Sequence, residues 1–115
     1  MKLINALTLT ATLALIATTA LAQDATTDYE KEAMVCKYTE KIAEVVMRAR
    51  QGGIRMNEVF ELFNNLPEPF LTSSRSIVKD GYSERYAKFE TKSHQHQTIE
   101  EFTNAWTAKC WSHFD

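Results

Sequence analysis

A small all-α bundle of about four helices, with the first and fourth joined by one disulfide, is the fold this sequence predicts. Three observations carry that reading. Apolar residues recur at three- and four-residue spacing in separate stretches, and no useful stretch alternates at the two-residue period of a strand. The chain opens with the features of an export signal. Its two cysteines, Cys36 and Cys110, lie near the two ends of what remains once that signal is removed.

The signal comes first. Lys2 gives a positive start, Leu3 to Leu21 is almost wholly Ala, Leu, Ile and Thr, and Ala20-Leu21-Ala22 is a small-x-small cleavage site followed by Gln23-Asp24. A retained transmembrane anchor needs about twenty apolar residues. This stretch is near that length, but it holds Thr8, Thr10, Thr12, Thr18 and Thr19 and ends in a cleavage site rather than in basic residues. No cysteine follows the cleavage point directly, which argues against a lipoprotein anchor, and nothing later in the chain is apolar enough to span a bilayer. Residues 1–22 are therefore read as a cleaved signal peptide and the protein as periplasmic or secreted, with no stable membrane insertion after cleavage. Removing 22 of the 115 residues leaves 93, with 12 basic against 15 acidic side chains because Lys2 alone is lost, a net of −3. A balance so mild does not predict nucleic acid or an anionic membrane as partner.

A chain of this size makes one domain with a small core, and such domains often need a staple. In an oxidising compartment an isolated cysteine pair is most simply a disulfide. A Cys36–Cys110 bridge would close almost the whole mature chain, a constraint of about 4 to 5 kcal/mol in the chain-entropy picture. A redox-active or catalytic cysteine would call for a C-x-x-C pair or a partnered His in a known motif, and neither is present.

After a loose segment at 23–28, a single helical domain is expected over 29–115. Val35, Tyr38, Ile42, Val45 and Ala49 share one stripe of a helix over 29–51, widened by Cys36, Ala43 and Val46, with Glu30, Lys37, Glu40 and Lys41 outside. Asp28 is the expected N-cap. Arg48 and Arg50 in the last turn, then Gly52-Gly53, stop the helix. Met56, Val59, Phe60 and Phe63 make a second helix over 56–64, ended by Leu66-Pro67-Glu68-Pro69. A third is expected over 72–88, with Thr72-Ser73-Ser74 as caps and Ile77, Val78, Tyr82 and Tyr86 as a partial stripe. Gly81 inside it costs about 1 kcal/mol relative to Ala and suggests that another helix passes close by. Residues 91–97 read as a polar loop, and Thr98-Ile-Glu-Glu101 as the capping box of a fourth helix whose inner side is Ile99, Phe102, Trp106, Cys110 and His113 or Phe114.

Several of these pieces also resemble a group of small exported proteins of proteobacteria and their phages that carry a signal peptide, two cysteines and no assigned activity. The matching residues are Cys36 with Tyr38, Val46-Met47-x-x-Arg50-Gln51-x-Gly53, Ile77-Val78-x-x-Gly81-Tyr82, and Phe102, Trp106 and Cys110. The resemblance covers most of the mature chain and implies a shared helical, disulfide-bonded fold. It supplies no catalytic residues.

Candidate chemistry is sparse. His94-x-His96 in a loop, with His113 if the fourth helix folds back, could chelate a divalent metal, but two imidazoles without a third fixed ligand make a weak site, and a solvated polar loop is the better account of them. No cofactor is expected. Arg48, Arg50 and Arg55 bracket the Gln51-Gly52-Gly53 turn, where guanidiniums and turn amides could hold a phosphate or carboxylate. The same basic residues also complement a helix C-terminus. The carboxylates Glu40, Glu44, Glu58, Glu61, Glu84, Glu100 and Glu101 take solvent-facing helical positions, and Ser73, Ser74 and Ser76 read as caps rather than nucleophiles. No nucleophile elbow, zinc-protease, phosphate-loop or EF-hand pattern occurs.

The aromatic residues exceed what one small core needs, so Tyr82 and Trp111 are candidates to anchor a protein partner, and a surplus apolar patch could also serve a homodimer. The leading expectation is an exported binding or accessory protein with a protein partner in the cell envelope, its site at Arg48, Arg50, Gln51, Arg55, Tyr82 and Trp111. The alternative is a metal- or anion-binding protein or small enzyme using the His94/His96 loop or the Arg50 turn. A membrane-active toxin would need a basic amphipathic helix, which the acidic balance opposes.

Overall fold

The computed structural model describes residues 27–114; the signal-peptide reading of 1–22 and most of the loose segment expected at 23–28 lie outside the described residues. Four helices follow in order, α1 (Asp28–Gln51), α2 (Met56–Leu62), α3 (Phe70–Gly81) and α4 (Lys92–His113), and no strand occurs among the described residues. No helix among them is long and apolar enough to cross a membrane. The chain from Glu32 onward is one compact unit. Within it α1 and α4 pack against each other and are joined by the Cys36–Cys110 disulfide, with Cα atoms 5.5 Å apart.

α1 begins at Asp28 itself, one residue earlier than expected, so the cap moves back by one. Thr27 takes that role, its hydroxyl accepting from the Glu30 N–H at 3.1 Å, while Asp28 and Glu30 occupy the first turn at the positive end of the helix dipole. At the other end the double glycine does what its position implies. Gly53 sits at φ +79°, its N–H donates to Arg50 O at 3.2 Å and the Ile54 N–H donates to Ala49 O at 3.0 Å. This pair of reverse bonds closes the last turn and depends on a residue free to take positive φ.

The buried face of α1 differs from the expected stripe. Cys36, Thr39, Ile42, Ala43, Val46, Met47, Ala49 and Gln51 are buried, whereas Tyr38 and Val45 are 47% and 43% exposed. The helix is rolled by roughly a quarter turn about its axis relative to that reading. Its apolar residues span an arc wider than one contact can cover, and the disulfide fixes Cys36 inward, 1% exposed.

α2 runs from Met56, with Val59 fully buried and Met56, Phe60 and Phe63 packed against the core as expected. The Glu58 carboxylate accepts from the Arg55 N–H at 3.3 Å and secures the first turn. α3 starts directly after Pro69, two residues ahead of expectation, and the Glu68 carboxylate accepts from both the N–H and the hydroxyl of Thr72. Ser74 is therefore not a cap. It is buried in the helix and donates to Leu71 O at 2.7 Å.

α3 also stops at Gly81 rather than continuing to 88. A Cβ at Gly81 would lie 2.7 Å from Val46 Cγ1 and 3.2 Å from Phe102 Cζ, so the close helix passage inferred from sequence is real, and it is with both α1 and α4. Phe102, Val46, Met47, Ile77, Val59 and Val78 are the largest fully buried apolar side chains. Burying an apolar side chain of this size stabilises the fold by about 1.5–3 kcal/mol. Tyr86 packs edge-on to Phe102 with ring centres 4.8 Å apart, and the Trp106 indole N–H donates to Asp80 Oδ2 at 2.9 Å, which ties α4 to the end of α3.

α4 corrects the sequence reading at its start. Residues 92–97 are helical, and the cap is Thr91, whose hydroxyl accepts from the His94 N–H at 3.3 Å. Thr98 lies inside the helix and donates its hydroxyl to His94 O at 2.8 Å, while Glu101 accepts from Gln97 Nε2 at 3.1 Å. Two threonines seven residues apart both offer an N-cap, and starting at Thr91 adds nearly two turns of backbone hydrogen bonds.

Candidate functional site

Of the residues singled out in the sequence, the structure gathers Arg50, Gln51 and Tyr82 and turns all three toward the protein's own backbone. Between α3 and α4, residues 82–90 form no regular element, and their polar groups need partners. Gln51, 3% exposed, supplies them: Nε2 donates to Ala87 O and Oε1 accepts from the Phe89 N–H, each at 2.8 Å. Arg50 Nη2 donates to Tyr86 O at 3.4 Å, and its guanidinium lies 5.2 Å from the centre of the Tyr82 ring. Arg50 Nε is buried without a hydrogen-bond partner. The Tyr82 hydroxyl donates to Ile54 O. Burial pushes the Tyr82 pKa above its ordinary value; the nearby Arg50 charge pulls it down and Glu58 pushes it up, and burial prevails.

The other members of that set stand apart. Arg48 pairs with Glu44 at 2.9 Å on the exposed side of α1, and Arg55 is exposed at the start of α2. The turn amides of Gly53 and Ile54 are already donated to α1 carbonyls, as is that of Gly52 to Arg48 O at 2.9 Å, which leaves the turn no free cradle for an anion. Trp111 is half-buried beside Cys110, whose bonded partner Cys36 is about 21 Å along α1 from Arg50.

The histidines are not brought together either. His94 and His96 are two residues apart on α4, and such positions do not face each other. His94 packs on Phe89 with ring centres 5.5 Å apart, and His96 Nε2 lies 3.1 Å from Glu100 Oε1 on the exposed surface. His113 is about 26 Å further along the same straight helix, so it cannot fold back to join them. No group of three or more His, Cys, Asp or Glu that could hold a metal occurs among the described residues.

The disulfide end carries a different feature, which sequence reasoning missed. A groove of about 480 Å³ opens there, lined by Val35 and Thr39 of α1, Pro69 and Ser73 at the start of α3, and Trp106, Lys109, Cys110, His113 and Phe114 at the end of α4. Its volume falls in the range of about 300–1,000 Å³ usual for small-ligand sites. The Lys109 ammonium sits 4.6 Å from the centre of the Trp106 ring, and the Thr39 hydroxyl is donated to Val35 O at 3.0 Å. Pro69 leads directly into Phe70, whose ring is in tilted contact with that of Tyr38, centres 4.8 Å apart. From Tyr38 an exposed apolar stripe runs along α1: Met34, Tyr38 and Val45 fall within about 40° of one another around the helix axis.

The sequence held a signal for this stripe. Met34 extends the four-residue spacing of Tyr38 toward the N-terminus, and the full apolar arc of α1 was too broad for a single contact. The groove left no such mark, because it is assembled from three segments far apart in the chain.

Comparison of the chain with protein-family models, curated proteins and solved structures returned no match.

Proposed function

We propose that this is an exported protein that acts by binding, and that its partner is another protein held along the Met34–Tyr38–Val45 stripe of α1. The observation that carries the reading is that stripe. Three large apolar side chains, 43–55% exposed, lie in a row about 16 Å long on the longest helix of the domain. A helix of a folded domain normally turns such residues inward, and an exposed apolar row is the pattern an approaching helix or extended segment covers. Tyr38 and Phe70, their rings in tilted contact, give the row an aromatic centre of the kind that dominates interface energetics. The export reading rests on the N-terminal signal features and is supported by the disulfide, which persists in oxidising compartments.

Photo-crosslinking tests it. A benzoylphenylalanine at position 45 should trap one partner protein in envelope extract, and the same probe at the exposed Arg75 on α3 should not. A Tyr38→Glu/Val45→Glu variant that keeps its helix content should lose the partner. Equal trapping from positions 45 and 75, or none, would overturn the reading. An adduct of two copies of this chain would replace the foreign partner by a homodimer.

A further inference from the structure

The two ends of the disulfide differ in access. Cys36 is 1% exposed among the core residues of α1, whereas Cys110 is partly exposed and lines the groove together with Trp106, Lys109 and His113. We propose that Cys110 is a site of modification by small thiols, and that the groove admits a reductant to the Cys110 sulfur and not to the Cys36 sulfur. The inference needs only the groove and the bridge, and holds whatever partner the α1 stripe takes.

The chemistry is thiol–disulfide exchange. An incoming thiolate attacks Cys110 Sγ, the new S–S bond forms there, and the Cys36–Cys110 bond breaks with its electron pair leaving on Cys36. The product is a mixed disulfide on Cys110 and a thiolate, then a thiol, at Cys36. A second thiolate attacking the mixed disulfide releases Cys110 as a thiolate and carries the small thiol away as its own disulfide. Two electrons have then passed from two small thiols to the bridge.

Access and charge both point to this side. The Lys109 ammonium belongs to the residue just before Cys110 in the chain, and among the described residues no carboxylate lines the groove. A thiol carrying net negative charge, such as glutathione, therefore meets a cationic rim. Cys36, 1% exposed, is the leaving sulfur and departs into the interior, away from solvent. Exchange is accordingly readily reversed, and an occupant of the groove competes with it.

The test uses the oxidised protein and glutathione. Samples are quenched in acid at early times, alkylated with N-ethylmaleimide in denaturant, and mapped by mass spectrometry. The expected species carries glutathione on Cys110 and the maleimide on Cys36, in at least tenfold excess over the reverse. Equal adducts on both cysteines, or a majority on Cys36, would overturn the proposal, because exchange through global unfolding would not distinguish the two sulfurs. Lys109→Glu provides a second measurement at an exposed position that should not affect folding. It should slow reduction by glutathione about threefold at low salt, and reduction by 2-mercaptoethanol, whose thiolate carries one negative charge less, by a clearly smaller factor. An equal effect on both thiols, or none on either, would also count against the cationic groove as the route of entry.

Discussion

Replacing Gln51 by Leu separates a structural latch from a ligand site at the end of α1. The substitution puts an apolar side chain of similar size in a position that is 3% exposed, and it removes the two 2.8 Å hydrogen bonds to Ala87 O and Phe89 N. If the 86–89 backbone rehydrates, each lost bond costs about 1 kcal/mol; if it stays packed and unpaired, each costs up to about 3 kcal/mol. Ala87 and Phe89 are themselves exposed, which favours the lower part of that range and gives a total of about 2–4 kcal/mol. Against the 5–15 kcal/mol typical of a small domain that is a large fraction. Urea unfolding followed by helical ellipticity should show the loss at unchanged slope, and the thermal midpoint should fall by about 10–25 °C. The Phe89 amide should lose its protection from hydrogen exchange. A Leu variant within 0.5 kcal/mol of the parent would refute the latch and return Gln51 to the list of residues free to meet a ligand.

Other parts of the fold yield sharp expectations. Cys36→Ser with Cys110→Ser opens a loop of 74-residue separation and should cost up to about 4.5 kcal/mol in urea unfolding, and a cost under 1 kcal/mol would mean the bridge constrains little. Gly81→Ala drives a methyl to 2.7 Å from Val46 Cγ1; overpacking of about 1–3 kcal/mol outweighs the roughly 1 kcal/mol gained in helix propensity, so the variant should be less stable, and a more stable one would contradict the packing. The raised pKa of Tyr82, due chiefly to burial, means the folded state holds that proton more tightly than the unfolded chain. Its contribution is complete below the unfolded value near 10.0 and is lost as pH rises through the higher folded value, so alkaline unfolding should be less steep in Tyr82→Phe.

Much of this architecture is legible in the residues because its signals are local. The α1 stop at Gly52-Gly53, the Pro67–Pro69 break, the inner face of α4 at Ile99, Phe102 and Trp106, and the Cys36–Cys110 bridge all follow from spacing or compartment, and the structure has them. Helix starts were misread between neighbouring caps, while the larger misreadings share another cause: a local signal was satisfied by a distant partner. Helix propensity continues past Gly81, yet the Tyr86, Ala87 and Phe89 carbonyls and the Phe89 amide are taken by Arg50, Gln51 and Gln95, the last donating to Phe89 O at 2.7 Å. Tyr38 and Val45 fit an inward stripe equally well until Cys36 is fixed against Cys110. The Arg50-Gln51 pair looked like a place for a ligand because two long polar side chains beside a glycine turn look the same whether they meet a ligand or the chain itself.

The two ends of the bundle are held by different means, and that division bears on where function can reside. At the Gly53 end, side chains of α1 and α4 hold the backbone at Ala87 and Phe89, so a ligand there would have to displace bonds the fold depends on. At the other end a covalent bridge holds α1 to α4, and a bridge needs no polar surface around it. Beside that bridge a groove lies open between the three segments that contribute Val35, Pro69, Ser73, Trp106 and Phe114. The exposed row of Met34, Tyr38 and Val45 begins beside that same end. A sequence change that reshapes the groove or the row disturbs few contacts of the central Val46–Gly81–Phe102 packing, whereas a change at Gln51 disturbs the fold itself. Side chains that line the groove or the row can therefore vary with little effect on the fold, provided the bridge itself is kept.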